Sequence, residues 1–308
     1  MEIKGLSDDN ILKISHIKEE DEWALKYRID SYHNFLKLGL PDFGPKVELD
    51  FDNIIYYKSR QESEIKNNWN DINCSVKNEL DNLGVLESEK HLDGIGVQYE
   101  SEVIYHNMLS ELEEKNVIFT SIEVAMKKYP ELVKKYFGKI VSNNENKFAA
   151  LNGAVFSGGS FIYIPPNTTL DRPLQSYFRI NSRNMGQFER TLIIVDDNSH
   201  LHYVEGCTAP TYSDSSLHAA VVEIYVGKNS SCRYSTIQNW APNVYNLVTK
   251  RALVDENGVM EWIDGNIGSR LTMKYPCCVL KGDNSKGTCI TISVASKTQE
   301  QDSGARMI

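Results

Sequence analysis

VDDNSHLHYVEGCTAP, residues 195–210, sets a turn (VDDN) ahead of an alternating run that ends near a lone cysteine, Cys207. The turn recurs. IPPN ends at Asn167, VDDN at Asn198, VGKN at Asn229, VDEN at Asn257 and LKGDN at Asn284, at spacings of 31, 31, 28 and 27 residues. A period of this size marks a solenoid, in which no unit covers its own apolar edge and each must stack on the next. Short β-branched and aromatic runs flank the turns with no helical spacing between them, so residues 149–308 are expected to form a parallel β-helix. A Greek-key sandwich is the alternative.

The same offsets predict which residues stack. Tyr203 falls over Tyr234, Trp262 and Cys289; Glu205 over Thr236, Asp264 and Thr291; Cys207 over Gln238, Asn266 and Ser293. Period two puts residues 203, 205 and 207 on one face. Val204, Ile263 and Ile290 form an apolar column on the other face, so a corner that exchanges inside and outside is conceivable, and periodicity leaves the direction of Cys207 open.

Residues 1–148 read as an acidic, mainly helical domain. EEDEWALKYRIDSYHNFLKLGL (19–40) places Leu25, Ile29, Tyr32 and Leu36 on one helical face with Gly39 as the stop, and SEVIYHNMLSELEEK (101–115) reads as a second amphipathic stretch. TSIE (120–123) has the form of a capping box, and YPELVKKYFG (129–138) carries Pro130 at a helix start and Gly138 after its end. GAVFSGGS (153–160) matches no phosphate-binding loop and reads as the turn into the first rung.

The net charge is −9, and all the excess acid lies in residues 1–150, with 19 Lys+Arg against 28 Asp+Glu; residues 151–308 hold 14 of each. No basic face is available for phosphates, which argues against nucleic acid as a partner. No window approaches the roughly 18 apolar residues of a spanning helix, and MEIKGLSDDN opens with charge rather than a signal peptide's apolar run, so a cytoplasmic protein without membrane attachment is expected. The six cysteines are then expected as free thiols.

A thiol acts as a nucleophile or metal ligand only as thiolate, which Glu205 beside Cys207 opposes and Lys250, Arg179 or Arg233 could favour. On local sequence alone Cys207 reads as a small buried hydrophobe, and adjacent Cys277 and Cys278 as packing. His200, His202 and His218 provide one alternate-residue pair and a distant third, a weak metal signature that leaves any metal site undefined.

Several ordered blocks together resemble the SufB scaffold family of iron–sulfur cluster assembly. They are IPPNTTLDRPLQSYFRIN (164–181), MGQFERTLII (185–194), YVEGCTAP (203–210), LHAAVVEI (217–224), YSTIQNW (234–240), NLVTKRA (246–252), KYPCCVLKGDNSKG (274–287) and QDSGARMI (301–308), with QYESEVIYH (98–106) in the first half. The resemblance implies a helical N-terminal region before a right-handed parallel β-helix. It implies a SufD-like paralogue, a SufC-type ABC ATPase, and a cysteine desulfurase with its sulfur-transfer protein as partners. A transient iron–sulfur cluster is the implied cargo, and nothing indicates whether a flavin takes part.

By the same resemblance Cys207 is the sulfur acceptor and Arg179, Asn181, Thr236 and Lys250 line the sulfur path, with Glu205 and Gln238 beside it. NWAPNVYNLVTK (239–250) is shorter than the family's usual loop. The family also continues past GARMI with a second functional cysteine, a cluster-binding region and ATPase-gripping helices, so a chain ending at Ile308 is expected to lack those functions. The expectation is a non-enzymatic scaffold. The alternatives are a SufD-like structural partner and, from another class, a β-helix polysaccharide-cleaving enzyme using Glu205 and Asp264.

Overall fold

The computed structural model describes residues 1–59, 65–211 and 215–308. The fold is mainly β, a parallel β-solenoid of about five turns with helices toward the N-terminus. One sheet stacks Leu174–Arg179, His200–Thr208, Ser231–Trp240, Val259–Gly268 and Lys286–Val294 in parallel. The opposing sheet stacks Ser160–Ile164, Arg190–Val195, Val221–Val226 and Val244–Val254, continuing through Leu271–Lys274 to Glu300–Ser303.

All five recurring asparagines have positive φ, between 54° and 60°. Asparagine tolerates this left-handed region better than other L-residues with a Cβ, so each can turn the chain between the sheets. Their side chains form a ladder: Asn198 Nδ2 donates to Asn167 Oδ1 (3.2 Å), Asn229 to Asn198 (3.2 Å), Asn257 to Asn229 (3.0 Å) and Asn284 to Asn257 (3.3 Å). The register follows from this ladder. Tyr203 pairs with Tyr234, Tyr234 with Trp262 and Trp262 with Cys289, as the spacing predicts, and the Glu205 and Cys207 columns hold likewise.

No corner interrupts the cysteine strand. His200–Thr208 is continuous and turns Leu201, Tyr203, Glu205 and Cys207 inward. The Val204, Ile263 and Ile290 column therefore faces outward, with Ile290 52% exposed. The interior has two parts. Near the asparagine turns it is apolar, filled by Ile162, Ile193, Leu201, Val222, Ile224, Cys232, Ala252 and Met260 around a stack of Tyr203, Tyr234 and Trp262, with ring centroids 5.0 and 5.2 Å apart. Toward the other end of the same strands it becomes polar.

Strands from the first half close the N-terminal end of both sheets. Gly94–Tyr99 adds in parallel to Leu174–Arg179, and Glu102–Met108 folds back on it antiparallel; Ile118–Ser121 covers Ser160–Ile164, also antiparallel. Residues 102–108, expected in an amphipathic helical stretch, are thus a strand, and only Ser110–Glu114 of that run is helical.

The helix Glu22–Lys37 forms as expected but buries Ala24, Arg28, Ser31, Tyr32 and Phe35, leaving Leu36 59% exposed. The predicted face is rotated because Arg28 is a core residue. Its guanidinium pairs with Glu20 at 2.6 Å and donates to the carbonyls of Ala154 (3.1 Å) and Phe156 (2.9 Å). The helix Ile122–Lys128 is capped by Ser121, one residue later than the box suggested, while Pro130–Tyr136 begins at its proline. Residues 153–155 of GAVFSGGS end the buried helix Lys147–Val155, and only 156–159 make the turn.

Candidate functional site

The polar part of the interior is built by alternation. Once Leu201 and Tyr203 point inward, Glu205 and Cys207 must follow, and the stacked register brings Thr236, Gln238, Asp264 and Asn266 in beside them. The opposing sheet supplies Lys250 from Val244–Val254 and Lys274 from Leu271–Lys274, both buried.

Cys207 has no solvent exposure. Its thiol donates to Glu205 Oε1 (3.6 Å), and Gln238 Nε2 donates to its sulfur (3.9 Å). The Tyr234 hydroxyl donates to the other Glu205 oxygen. Burial pushes the Cys207 thiol well above its ordinary pKa, and the Glu205 and Glu189 carboxylates push it further. Lys250 and Lys274 pull the other way without reversing the outcome.

The two lysines converge on Asp264. Its Oδ1 lies 3.4 Å from Lys250 Nζ and 3.2 Å from Lys274 Nζ, and it accepts the Thr236 hydroxyl. Lys274 also donates to Gln238 Oε1 (3.2 Å), and Lys250 lies 4.5 Å from the Tyr234 ring centroid. Burial opposes the Asp264 carboxylate, but the two ammonium groups outweigh it and hold its pKa below the usual range. For Lys274 burial wins, and its pKa is pushed down to about 8. A cation that stays partly charged near neutrality and donates through Gln238 toward sulfur is suited to receiving an anionic sulfur species.

A third group completes the cluster. His218 is buried, with Nε2 donating to Glu189 Oε1 and Nδ1 2.7 Å from Asn246 Oδ1; Asn246 Nδ2 donates to Gln238 Oε1 (2.9 Å). A continuous polar chain therefore links Glu189, His218, Asn246, Gln238 and Cys207.

Residues 178–308 match the family described as SUF system FeS cluster assembly, SufBD core domain, and residues 97–176 match the SufBD protein N-terminal region. The chain is 56% identical, over 99% of its length, to iron–sulfur cluster assembly SufBD family proteins of Staphylococcus saprophyticus and Staphylococcus aureus strain USA300. The chain belongs to the SufBD family. It spans 66% of the length of those two relatives.

In this SufBD chain, Cys207, Glu205, Thr236, Gln238 and Lys250 come together as one interior cluster. Arg179 and Asn181 do not join it. Arg179 pairs in register with Thr208 on the outward face, donates to its Oγ1 (2.8 Å) and to Glu79 Oε1 (2.8 Å), while Asn181 bonds the Tyr99 hydroxyl. His200 and His202 face outward and bond Ser231 and Ser235, apart from His218. Cys277 and Cys278 are both buried, in the strand Cys277–Leu280.

Sequence reasoning missed Lys274, Glu189 and Asn246, and it set His218 beside the wrong histidines. A signal for Lys274 was present: a lysine inside the buried apolar run LTMK, on the sheet that also carries Lys250. Among the described residues no helix is long and apolar enough to cross a membrane.

Proposed function

We propose that this chain is the SufB-type scaffold of an iron–sulfur cluster assembly system and that Cys207 accepts sulfur. The observation that carries the reading is the enclosed thiol with Gln238 at 3.9 Å and, through Gln238, the Lys274 ammonium. The transfer needs no oxidant. A donor persulfide R–S–SH reacts with the Cys207 thiol to give Cys207–S–SH and R–SH, the sulfane sulfur moving while the donor thiol is restored.

The persulfide is more acidic than the thiol it replaces, and its terminal sulfur becomes the anion that Gln238 and Lys274 receive. Thr236 and Lys250 share Asp264 with Lys274, whose ammonium also reaches Gln238 Oε1 and through that amide faces the sulfur. Arg179, on the outer face, braces the end of its strand against Glu79 instead of handling cargo. Iron and electrons come from partners, and the assembled cluster leaves as cargo to apo-proteins. A SufD-like paralogue, a SufC-type ATPase, and a desulfurase with its transfer protein are the partners in this reading; the compartment is the cytoplasm, and the role is that of a scaffold rather than an enzyme.

Glu205 and Asp264 support no glycoside-cleaving role, since both are buried and already engaged by Tyr234 and by the two lysines. The test is anaerobic mass spectrometry after incubation with desulfurase, transfer protein and cysteine. One sulfur added at Cys207, and lost in Cys207→Ser, supports the reading. Sulfur distributed over other thiols with none at Cys207 would sink it in favour of a SufD-like structural partner.

A further inference from the structure

We propose that Glu189, Cys207 and His218 bind one thiophilic divalent metal ion, of the ferrous type, inside the solenoid. The candidate donor atoms all lie within 4.8 Å of one another, and all three residues are buried. Bonds of about 2.0–2.3 Å to a tetrahedral centre need donor–donor edges of about 3.5 Å, so modest side-chain rotations suffice. The donors are one sulfur, one imidazole nitrogen and one carboxylate oxygen, a set that selects borderline transition metals over calcium or magnesium.

A second observation points to a ligand. Glu189 Oε2 is buried and has no hydrogen-bond partner among the described residues, whereas its Oε1 is tied to His218. The imidazole is also oriented as a ligand would be, with Asn246 Oδ1 holding Nδ1 at 2.7 Å so that Nε2 faces Glu189 and the thiol. The electrostatics agree. Glu205 and Glu189 flank the sulfur and oppose a bare thiolate, and a site that repels the anion attracts a cation. The nearby ammonium groups of Lys250 and Lys274 are drawn onto Asp264 at 3.4 and 3.2 Å.

In the metal-free protein a proton bridges His218 Nε2 and Glu189. On binding, that proton and the thiol proton leave to solvent as the metal–nitrogen and metal–sulfur bonds form: the divalent ion, a thiol and an imidazolium become a neutral imidazole and thiolate complex plus two protons. Three protein donors leave a coordination position for a non-protein sulfur. The biological meaning rests on the proposed function, since iron would then meet sulfur at the accepting cysteine.

The test titrates the chain anaerobically with Co²⁺, with no sulfur donor present. One equivalent should bind with a thiolate-to-cobalt charge-transfer band. Cys207→Ser should abolish the band, Glu189→Gln and His218→Gln should weaken binding by at least about tenfold, and Cys289→Ser should leave it unchanged. On the unmodified chain loaded with Zn²⁺, X-ray absorption should show one sulfur at about 2.3 Å with nitrogen or oxygen at about 2.0–2.1 Å. A sulfur-free shell, or a band that survives Cys207→Ser, overturns the site even if a variant fails to fold. Sulfur added to Cys207 in metal-free protein without a cobalt band would remove the metal site and leave the scaffold reading; a cobalt band without sulfur addition would do the reverse.

Discussion

Replacing Asp264 by asparagine removes the carboxylate that contacts both buried lysines, and the cost can be estimated from the geometry. At an effective dielectric constant of about 20, each contact, at 3.2 and 3.4 Å, carries about 5 kcal/mol of attraction. Repulsion between the ammonium groups and the loss of hydration offset part of this. Breaking a buried pair on one side costs about 3–5 kcal/mol, and the asparagine carbonyl still accepts a hydrogen bond, so about 3 kcal/mol is expected near neutral pH.

The deficit has a pH signature. Asp264 raises the pKa of Lys274, which is about 8 in the intact fold, so its removal drops that pKa further. Between the variant's lower pKa and about 8, the folded variant binds fewer protons than folded wild type while the unfolded chains bind alike. Its stability therefore recovers relative to wild type as pH rises through that window. Above about 8, Lys274 is neutral in both and the remaining difference is flat. Urea unfolding followed by tryptophan fluorescence, with Trp262 buried in the stack, should give a larger deficit at about pH 6 than at about pH 9. Adding Lys250→Met and Lys274→Met to Asp264→Asn should restore most of the loss, because a neutral cluster of similar volume leaves no unpaired charge. A single-variant loss below about 1 kcal/mol, or a triple variant as unstable as the sum of its parts, would refute the reasoning.

Three further outcomes are expected. Persulfide retained on Cys207, read by mass spectrometry after a timed chase, should decline as pH rises through about 8, where folded Lys274 loses its proton; Lys274→Arg should flatten this profile and Lys274→Met should lower retention throughout. Asn229→Ala should cost about 2 kcal/mol, from side-chain strain at φ 54° and two lost ladder bonds, whereas Asn229→Gly should cost about 1 kcal/mol less; equal urea midpoints would contradict this account of the ladder. Glu223 accepts from the backbone amides of Gly138 (2.9 Å), Ile140 (3.1 Å) and Val141 (3.1 Å) and pairs with buried Arg190, so Glu223→Gln should cost about 3 kcal/mol and accelerate hydrogen exchange at those three amides first.

The asparagines made the solenoid legible because each occupies a backbone conformation that few side chains accept, and one spacing fixes one register. Orientation was harder to read. Sequence patterning assumes an apolar inside, and here Val204, Ile263 and Ile290 lie outside while Glu205, Cys207, Asp264 and Lys250 lie within. The same assumption rotated the helix Glu22–Lys37, whose buried face carries an arginine neutralised by Glu20. Residues 102–108 were misread because a real helical turn, Ser110–Glu114, follows them and lends its spacing to the whole run. The Glu189–His218 contact lay out of reach for another reason: His218 pairs in register with Gln187, two residues short of Glu189, so the contact is a diagonal between neighbouring rungs that the 31-residue offset does not name.

The division of that interior bears on function as well as fold. The aromatic stack forms the boundary, and its members face both ways: Tyr234 packs between Tyr203 and Trp262, donates its hydroxyl to Glu205 and lies under the Lys250 ammonium. Apolar burial on the asparagine side supplies the stability that the polar side spends on desolvating Glu205, Asp264, Lys250 and Lys274. Methionine and leucine would fill the same volume at lower cost. The charges are instead set apart by sign. Carboxylates flank the thiol, a carboxylate draws the ammonium groups away from it, and Gln238 relays one of them back. Under the proposed function, such an interior holds a cation at the sulfur on one side and an anionic sulfur at Gln238 on the other.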